Sequence, residues 1–311
     1  MRALVTGGAG FIGSHIQDKL INLGHAVAIV DNLRSGKKEN LNSKSAFFEV
    51  DIRDKKKLPE VFSKFKPETV FHLAAQNEVP YSMDHPQEDL DINIAGMLNL
   101  LECCRTHKTK KVIYSNTGGA LYGEVDKKDI PVSEDFIVTR PTSYYGVSKR
   151  SAEHYLNLYG EIHNLDWISL RYANVYGPRQ QGNREAGIIA IFVFKMLKEE
   201  TPTINGNGAH TRDYVYVGDV VEANIKALSH KENDYFNIST GIETSNLEVF
   251  DSIEKVLRTG IKPTFGVNRP GDPLRNALSP QKAKKLLGWE SKIPFPEGIK
   301  KTVDYYLSFR A

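Results

Sequence analysis

Ala3-Leu4-Val5-Thr6-Gly7-Gly8-Ala9-Gly10-Phe11-Ile12-Gly13 is the stretch whose reading decides the fold. A short apolar run ends at Thr6, glycines follow, and over residues 14–23 apolar side chains recur at three- and four-residue spacing, the pattern of a helix packed on one face. A strand that passes through such a loop into a helix needs glycine for two reasons. The turn is tight, and a Cβ would hold the backbone away from a pyrophosphate, whereas the helix start offers free N–H groups and partial positive charge to an anion. The segment satisfies G-x-G-x-x-G from Gly8 and G-x-x-G-x-x-G from Gly7. Alone, that pattern also describes a strand-to-helix turn without a ligand; the strand before it and the helix after it favour a dinucleotide.

Working outward, short apolar strands are expected at residues 26–30, 47–50, 70–74, 112–115 and 167–172, with helical patterns between them, as over 90–104. Strands alternating with helices imply an α/β fold built on a parallel, doubly wound sheet of Rossmann type. After Tyr172 the texture changes. Residues 177–187 read as loop, 188–198 as helix and 202–211 as a Gly/Asn-rich turn region. Strands are expected at 214–217 and 235–238, a helix over 219–228 capped by Asp219, and a mostly helical tail over 246–310. The expected division is a dinucleotide-binding domain over 1–178, with return segments near 212–240, and a smaller, mostly helical C-terminal substrate domain over 179–311.

The chain has 311 residues, 40% hydrophobic and 25% charged, enough for a large core. Its 41 basic and 38 acidic residues leave +3, too small and scattered for a nucleic-acid footprint. No apolar run is long enough for a membrane span, and the start lacks a signal-peptide layout, so a cytoplasmic protein is expected. The two cysteines, Cys103 and Cys104, are adjacent; neither a disulfide framework nor a cysteine-based metal site is expected.

Asp31 follows the second strand, 18 residues beyond Gly13. An acid there hydrogen-bonds the adenosine ribose and repels a 2′-phosphate, which favours NAD over NADP. Arg34, with Lys37 and Lys38 beyond it, is the opposing feature. Asp51-Ile52 is placed either to hold the adenine edge or, through Asp51, to cap the next helix. Tyr145 and Lys149 stand four apart, on one face of a helix. A free phenol is a poor base at neutral pH; lowering its pKa by about three units takes roughly 4 kcal/mol, which a nearby ammonium and a positive nicotinamide ring together can supply.

Gly7 to Gly13, Asp31, Ser115-Asn116-Thr117 and the Tyr145/Lys149 pair together resemble an extended short-chain dehydrogenase/reductase. Further stretches narrow the resemblance to the UDP-glucose 4-epimerases of galactose metabolism. These are Val30-Asp31-Asn32-Leu33, Phe71-His72-Leu73-Ala74-Ala75, Thr117-Gly118-Gly119-Ala120-Leu121-Tyr122-Gly123-Glu124, Arg171-Tyr172-Ala173-Asn174-Val175-Tyr176-Gly177-Pro178-Arg179, Arg212-Asp213-Tyr214-Val215-Tyr216-Val217 and Arg269-Pro270-Gly271-Asp272. The resemblance implies catalysis by Thr117, Tyr145 and Lys149, with Tyr145 as base and Thr117 on the sugar 4-hydroxyl. It assigns to NAD the residues Gly7, Gly10, Phe11, Ile12, Gly13, Asp31, Asn32, Ser35, Gly36, Asp51, Ile52, Leu73, Ala74, Ala75, Asn93, Ser115, Tyr145, Lys149 and Tyr172. The UDP-sugar falls to Thr117, Asn174, Ile188, Asn205, Arg212, Arg269, Asp272 and Asn276, the arginines offering rigid donor forks to a diphosphate. The reaction implied is oxidation at C4, rotation of the 4-keto sugar and re-reduction from the other face, with NAD retained and no metal.

Gly118-Gly119-Ala120-Leu121 lacks the acids of the related 4,6-dehydratases and decarboxylases. UDP-glucuronate epimerisation, a nucleotide-sugar dehydrogenase and a non-catalytic dinucleotide sensor remain as alternatives. Asn205 stands where many relatives carry an aromatic for uracil, and Asn276 at a gate where a small residue leaves room for an N-acetyl group, so UDP-GlcNAc stands beside UDP-glucose. Cys103, Cys104 and His72 read as structural, and Lys55-Lys56-Lys57 and residues 108–111 as solvated helix ends. The resemblance also implies a homodimer pairing the helices near 90–104 and 148–163, whose apolar residues Ile92, Ile94, Met97, Leu100, Leu156, Leu158 and Ile162 serve either the core or that interface.

Overall fold

The computed structural model describes residues 1–137, 141–182, 187–267 and 274–309. Its strands are β1 (Arg2–Thr6), β2 (Ala26–Asp31), β3 (Ala46–Glu49), β4 (Thr69–His72), β5 (Lys111–Thr117), β6 (Asp166–Tyr172), β7 (Asn174–Tyr176), β8 (Thr203–Asn205), β9 (Thr211–Arg212), β10 (Tyr214–Tyr216), β11 (Asp234–Ile238), β12 (Thr244–Ser245) and β13 (Thr264–Gly266). The helices are α1 (Phe11–Asn22), α2 (Lys57–Phe65), α3 (Val79–Asp84), α4 (Pro86–Leu90), α5 (Gly96–Thr106), α6 (Tyr144–His163), α7 (Ile188–Leu197), α8 (Val217–Ala227), α9 (Asn246–Leu257) and α10 (Phe295–Leu307).

Seven strands form one parallel sheet in the order β11-β6-β5-β4-β1-β2-β3. Both faces are covered, so its strands are apolar on successive residues. Ala3 and Val5 face Ile16 and Leu20 of α1 and Val220 and Ala223 of α8. Leu4 and Val70 face Phe62 of α2, Met97 and Leu100 of α5, and Leu156 of α6. A third core joins α7, α9 and α10 through Phe192, Phe250, Ile253 and Val303. The chain proceeds outward from β1 to β3 on one side and from β4 to β11 on the other. The crevice beyond β1 and β4, where the order reverses, is where such sheets bind ligands.

Several expectations are corrected. The helix read over 219–228 begins at Val217, and Asp219 does not cap it. Its carboxylate instead accepts from Ser291 Oγ at 3.0 Å and from the N–H groups of Lys292 and Ile293 at 3.1 and 3.0 Å. Within the turn region 202–211, β8 pairs with β13, a strand inside the tail read as mostly helical. Lys111 is no solvated helix end: it is buried at the start of β5, and its ammonium donates to the carbonyls of Leu228, at 3.4 Å, and His230. Met97, Leu100 and Leu156 are fully buried core residues, whereas Leu158 and Ile162 are exposed.

The sheet and α6 are joined by buried charge. Arg171 of β6 and Glu153 of α6, exposed by only 2% and 1%, form a two-pronged pair at 2.9 and 2.8 Å. Asn116 and Ser169 donate to the same carboxylate at 2.7 and 2.8 Å, and Arg171 donates to the Tyr122 hydroxyl at 2.8 Å. Breaking a buried pair from one side leaves the other charge without compensation. Glu153→Gln is therefore expected to cost about 3–5 kcal/mol, read as a lower urea midpoint, with Glu153→Met/Arg171→Met costing less than the single change. A double variant no more stable than Glu153→Gln would contradict this.

Candidate active site

The loop after β1 is shaped by what cannot fit. Gly7 has φ +70°, and a Cβ on it would lie 2.7 Å from the Ala74 nitrogen; one on Gly13 would lie 2.3 Å from the Gly7 carbonyl. The loop thus packs directly on the end of β4, and α1 starts behind it with no side chain capping its first N–H groups. This is a backbone cradle suited to a pyrophosphate. The cavity in front of it has a volume of about 420 Å³ and is lined by Gly7, Gly10, Phe11, Ile12 and Gly13, by Asp31, Asn32 and Ser35, by Asp51 and Ile52, and by Leu73, Ala74 and Ala75. Its far wall is Ser115, Tyr145, Lys149 and Tyr172.

Asp31 ends β2 with its carboxylate accepting the N–H of Ala9 at 3.0 Å and of Leu33 at 2.8 Å; burial pushes its pKa up. Gly36 lies off the cavity wall and packs against that carboxylate, where a Cβ would come within 2.8 Å. Asp51 takes Asn32 at 2.8 Å and the Arg53 guanidinium at 2.8 and 2.9 Å, which holds its pKa down at about 2. The capping role weighed for Asp51 belongs to Asp54, which accepts from the N–H groups of Lys56 and Lys57 at the start of α2.

Asn93 sits behind the loop after β4. It lies off the wall, with its amide committed to the Gln76 backbone at 2.9 Å on both sides, to Asp89 at 3.0 Å and to Ser148 at 3.1 Å. It positions the loop after β4. Gln76, Asn77, Tyr81 and Asn116 line the cavity and were not anticipated; for Gln76 and Asn77 the available signal was their place just beyond the end of β4.

Tyr145 and Lys149 sit on the first turns of α6, whose start Ser143 caps by accepting the Gly146 N–H at 3.1 Å. The Lys149 ammonium donates to the Ser115 carbonyl at 2.9 Å, lies 4.6 Å over the Tyr114 ring and is 5.9 Å from the centre of the Tyr145 ring. Thr117, at the end of β5, accepts the Ala120 N–H at 3.2 Å and lies near enough to the Tyr145 phenol to act on its pKa. Burial, with Asp89 nearby, pushes the phenol well above its ordinary pKa, and Thr117 opposes this. Burial pushes Lys149 down to about 7, against the pull of Asp89 and Glu153. Ser115 and Tyr172 share a hydrogen bond of 2.9 Å. His72 is buried, bonded to Thr6 at 2.7 Å, and burial drops its pKa to about 3; Cys103 and Cys104 are also buried.

The candidates for the other substrate half come from separate segments and do not line this cavity. Asp213, fully buried, ties Asn174 to the segments of Thr240 and Leu278. Its backbone carbonyl accepts from Asn174, and its carboxylate accepts from Thr240 at 2.6 Å, Gly241 at 2.9 Å and the Leu278 N–H at 3.3 Å. Arg212 precedes it on β9, Asn205 ends β8 and Ile188 opens α7. Asn276, two residues before Leu278, is 2% exposed with neither amide atom hydrogen-bonded. Gly118 lies where a Cβ would strike Leu278, which brings the Thr117 loop against the same segment. Arg269 and Asp272 lie outside the described residues. Among the described residues no group of three His, Cys, Asp or Glu could hold a metal ion.

A lysine whose pKa falls from 10.5 to about 7 on folding binds fewer protons folded than unfolded between those values, so it makes stability rise with pH across that window. The urea midpoint of Lys149→Met is expected to rise less between pH 7 and 9 than that of the unaltered chain. Parallel curves would contradict the burial of a titrating ammonium here.

Three solved structures resemble this one over almost their whole length. A UDP-glucose 4-epimerase from Thermotoga maritima, determined with UDP-glucose, is 46% identical over 100% of both chains, with a TM-score of 0.98. A UDP-glucose 4-epimerase from Thermus thermophilus, in complex with NAD, is 44% identical over 99% of each chain, with a TM-score of 0.93. A UDP-N-acetylglucosamine 4-epimerase from Methanobrevibacter ruminantium, in complex with UDP-N-acetylmuramic acid, is 35% identical, covering 99% and 98%, with a TM-score of 0.93. The model of the NAD dependent epimerase/dehydratase family matches residues 3–239. With a glycine cradle that a Cβ would fill, and a buried acid at the end of β2, the chain belongs to the NAD dependent epimerase/dehydratase family, and its cofactor is NAD.

Proposed function

We propose that the protein is a UDP-sugar 4-epimerase that interconverts UDP-glucose and UDP-galactose with tightly held NAD. The observation that carries this reading is that Tyr145 and Lys149 meet at one end of the dinucleotide cavity, with Thr117 near enough to the phenol to act on its pKa. In the arrangement proposed, residues 1–178, with return segments near 212–240, hold the cofactor and residues 179–311 the nucleotide sugar. Bound NAD supplies reversible hydride exchange at the sugar C4 and, while oxidised, a positive ring charge beside the phenol. The protein alone holds that phenol protonated, so its activation depends on charge brought into the cavity. Tyr145 takes and returns the proton of the 4-hydroxyl, which Thr117 orients. Lys149, fixed by the Ser115 carbonyl, holds the nicotinamide ribose. Arg212, Arg269 and Asn174 keep the diphosphate anchored while the hexose turns, with Ile188 and Asp272 lining the same half.

Asn276 favours N-acetylated hexoses as additional substrates. Its buried amide, unpaired within the protein, offers a donor and an acceptor at a position where a larger side chain would occupy space. The protein is proposed to act in galactose metabolism in the cytoplasm. It is proposed to form a homodimer through the α6 face bearing exposed Val147, Leu158 and Ile162; sedimentation at a monomer's mass would contradict the dimer.

The test is a proton NMR time course with UDP-glucose, and separately UDP-GlcNAc, without added cofactor. The anomeric signal of the 4-epimer is expected to appear. Tyr145→Phe is expected to keep NAD and lose at least about a hundred-fold in turnover, the scale of general base catalysis; full activity would remove the phenol from the mechanism. Asn276→Tyr is expected to impair UDP-GlcNAc far more than UDP-glucose. Equal losses would remove Asn276 from the hexose site.

A further inference from the structure

At the β2 end of the cofactor cavity, Arg34 is the cation on the wall among the described residues. Lys37 and Lys38 lie off the wall and pair with Glu39 and Glu49 at 3.2 Å each. Arg34 is not free to face the cavity. Its guanidinium is ion-paired to one oxygen of Glu88 on α4 and lies 5.1 Å over the ring of Tyr81 on α3. The Tyr81 phenol, also on the wall, donates to the other Glu88 oxygen at 2.5 Å. The Tyr81 ring in turn rests 4.2 Å from that of His85. Arg34, Glu88 and Tyr81 thus close a ring from the loop after β2 to α3 and α4, and Arg34 and Tyr81 line the same cavity as Asp31.

A 2′-phosphate on the adenosine ribose would need a guanidinium with its donor fork open. Here one terminal nitrogen of the Arg34 guanidinium is engaged by a carboxylate oxygen, and the ring face beneath it adds a cation–π contact. Asp31 and Glu88 contribute one negative charge each and Arg34 one positive charge, so the corner is net negative; without Glu88 it would be neutral. Each contact of the ring is partly exposed and weak by itself, but together they keep the guanidinium turned to Glu88.

We propose that Glu88 is a cofactor-specificity residue: by holding Arg34 against Tyr81 it withholds the cation that would receive a 2′-phosphate. Discrimination for NAD over NADP then has two parts, Asp31 repelling the phosphate and Glu88 occupying its counter-ion. This rests on the reading of the cavity as the NAD site.

The experiment uses the full chain with its resident nucleotide. The unaltered protein, Glu88→Ala and Glu88→Ala/Arg34→Ala, made in the same cells, are opened with acid, and the released NAD and NADP are measured by mass spectrometry. The NADP share is expected to rise about ten-fold in Glu88→Ala, in keeping with one charge-assisted fork becoming available, and to fall back in the double variant. Glu88→Gln keeps the volume and removes the charge, and is expected to shift the share in the same direction. Unchanged shares in both single variants, with NAD still present, would overturn the proposal. So would a gain that persists without Arg34. Absence of both dinucleotides from the unaltered protein is a different result, one that would overturn the NAD reading beneath it.

Discussion

The carboxylate of Glu153 fastens together three elements that wall the cavity, β5, β6 and α6. It sits on α6, one turn beyond Lys149, and takes Arg171 from β6 and Asn116 from β5. Tyr145 and Lys149 ride on that helix, Ser115 and Thr117 on the one strand and Tyr172 on the other. A buried anion tolerates no loose neighbour, because any donor that drifts away leaves it uncompensated at low dielectric. The distances among Ser115, Tyr145, Lys149 and Tyr172 are thereby set from behind, by an ion pair that does not line the cavity.

What the sequence disclosed is what is local. The glycine loop, Asp31 and the Tyr145/Lys149 pair each lie within one turn or one strand end, where spacing translates directly into geometry. The partnerships that assemble the site are not local. Asp213 reaches Thr240, 27 residues on, and Leu278, 65 on; Asn116 reaches Glu153 across 37. No periodicity announces such pairs. The same gap explains the errors. Asp219 looked like a cap because acids at helix starts usually are, and its actual partners at 291–293 lie more than 70 residues away. Lys111 looked like the end of a basic run because its carbonyl partners belong to another element.

Burial drives the two titrating groups of the site toward neutrality from opposite sides. The phenol is pushed up and the ammonium down to about 7, because a low-dielectric wall disfavours either charge. The sequence pairing of Tyr145 with Lys149 suggests that the ammonium lowers the phenol directly. The structure aims that ammonium at the Ser115 carbonyl. The pair is thus responsive: an entering charge or hydrogen-bonding group acts against little competing solvent.

The two adjacent thiols on α5 have a consequence of another kind. Cys103 is 3% exposed and Cys104 wholly enclosed, and burial raises the pKa of both, Cys103 to about 11. A thiol reagent attacks only the thiolate, and only where it can reach, so neither sulfur reacts while α5 is seated on the sheet. The time course of their labelling is a clock wound by the fold itself, ticking once for each excursion in which that helix lifts away.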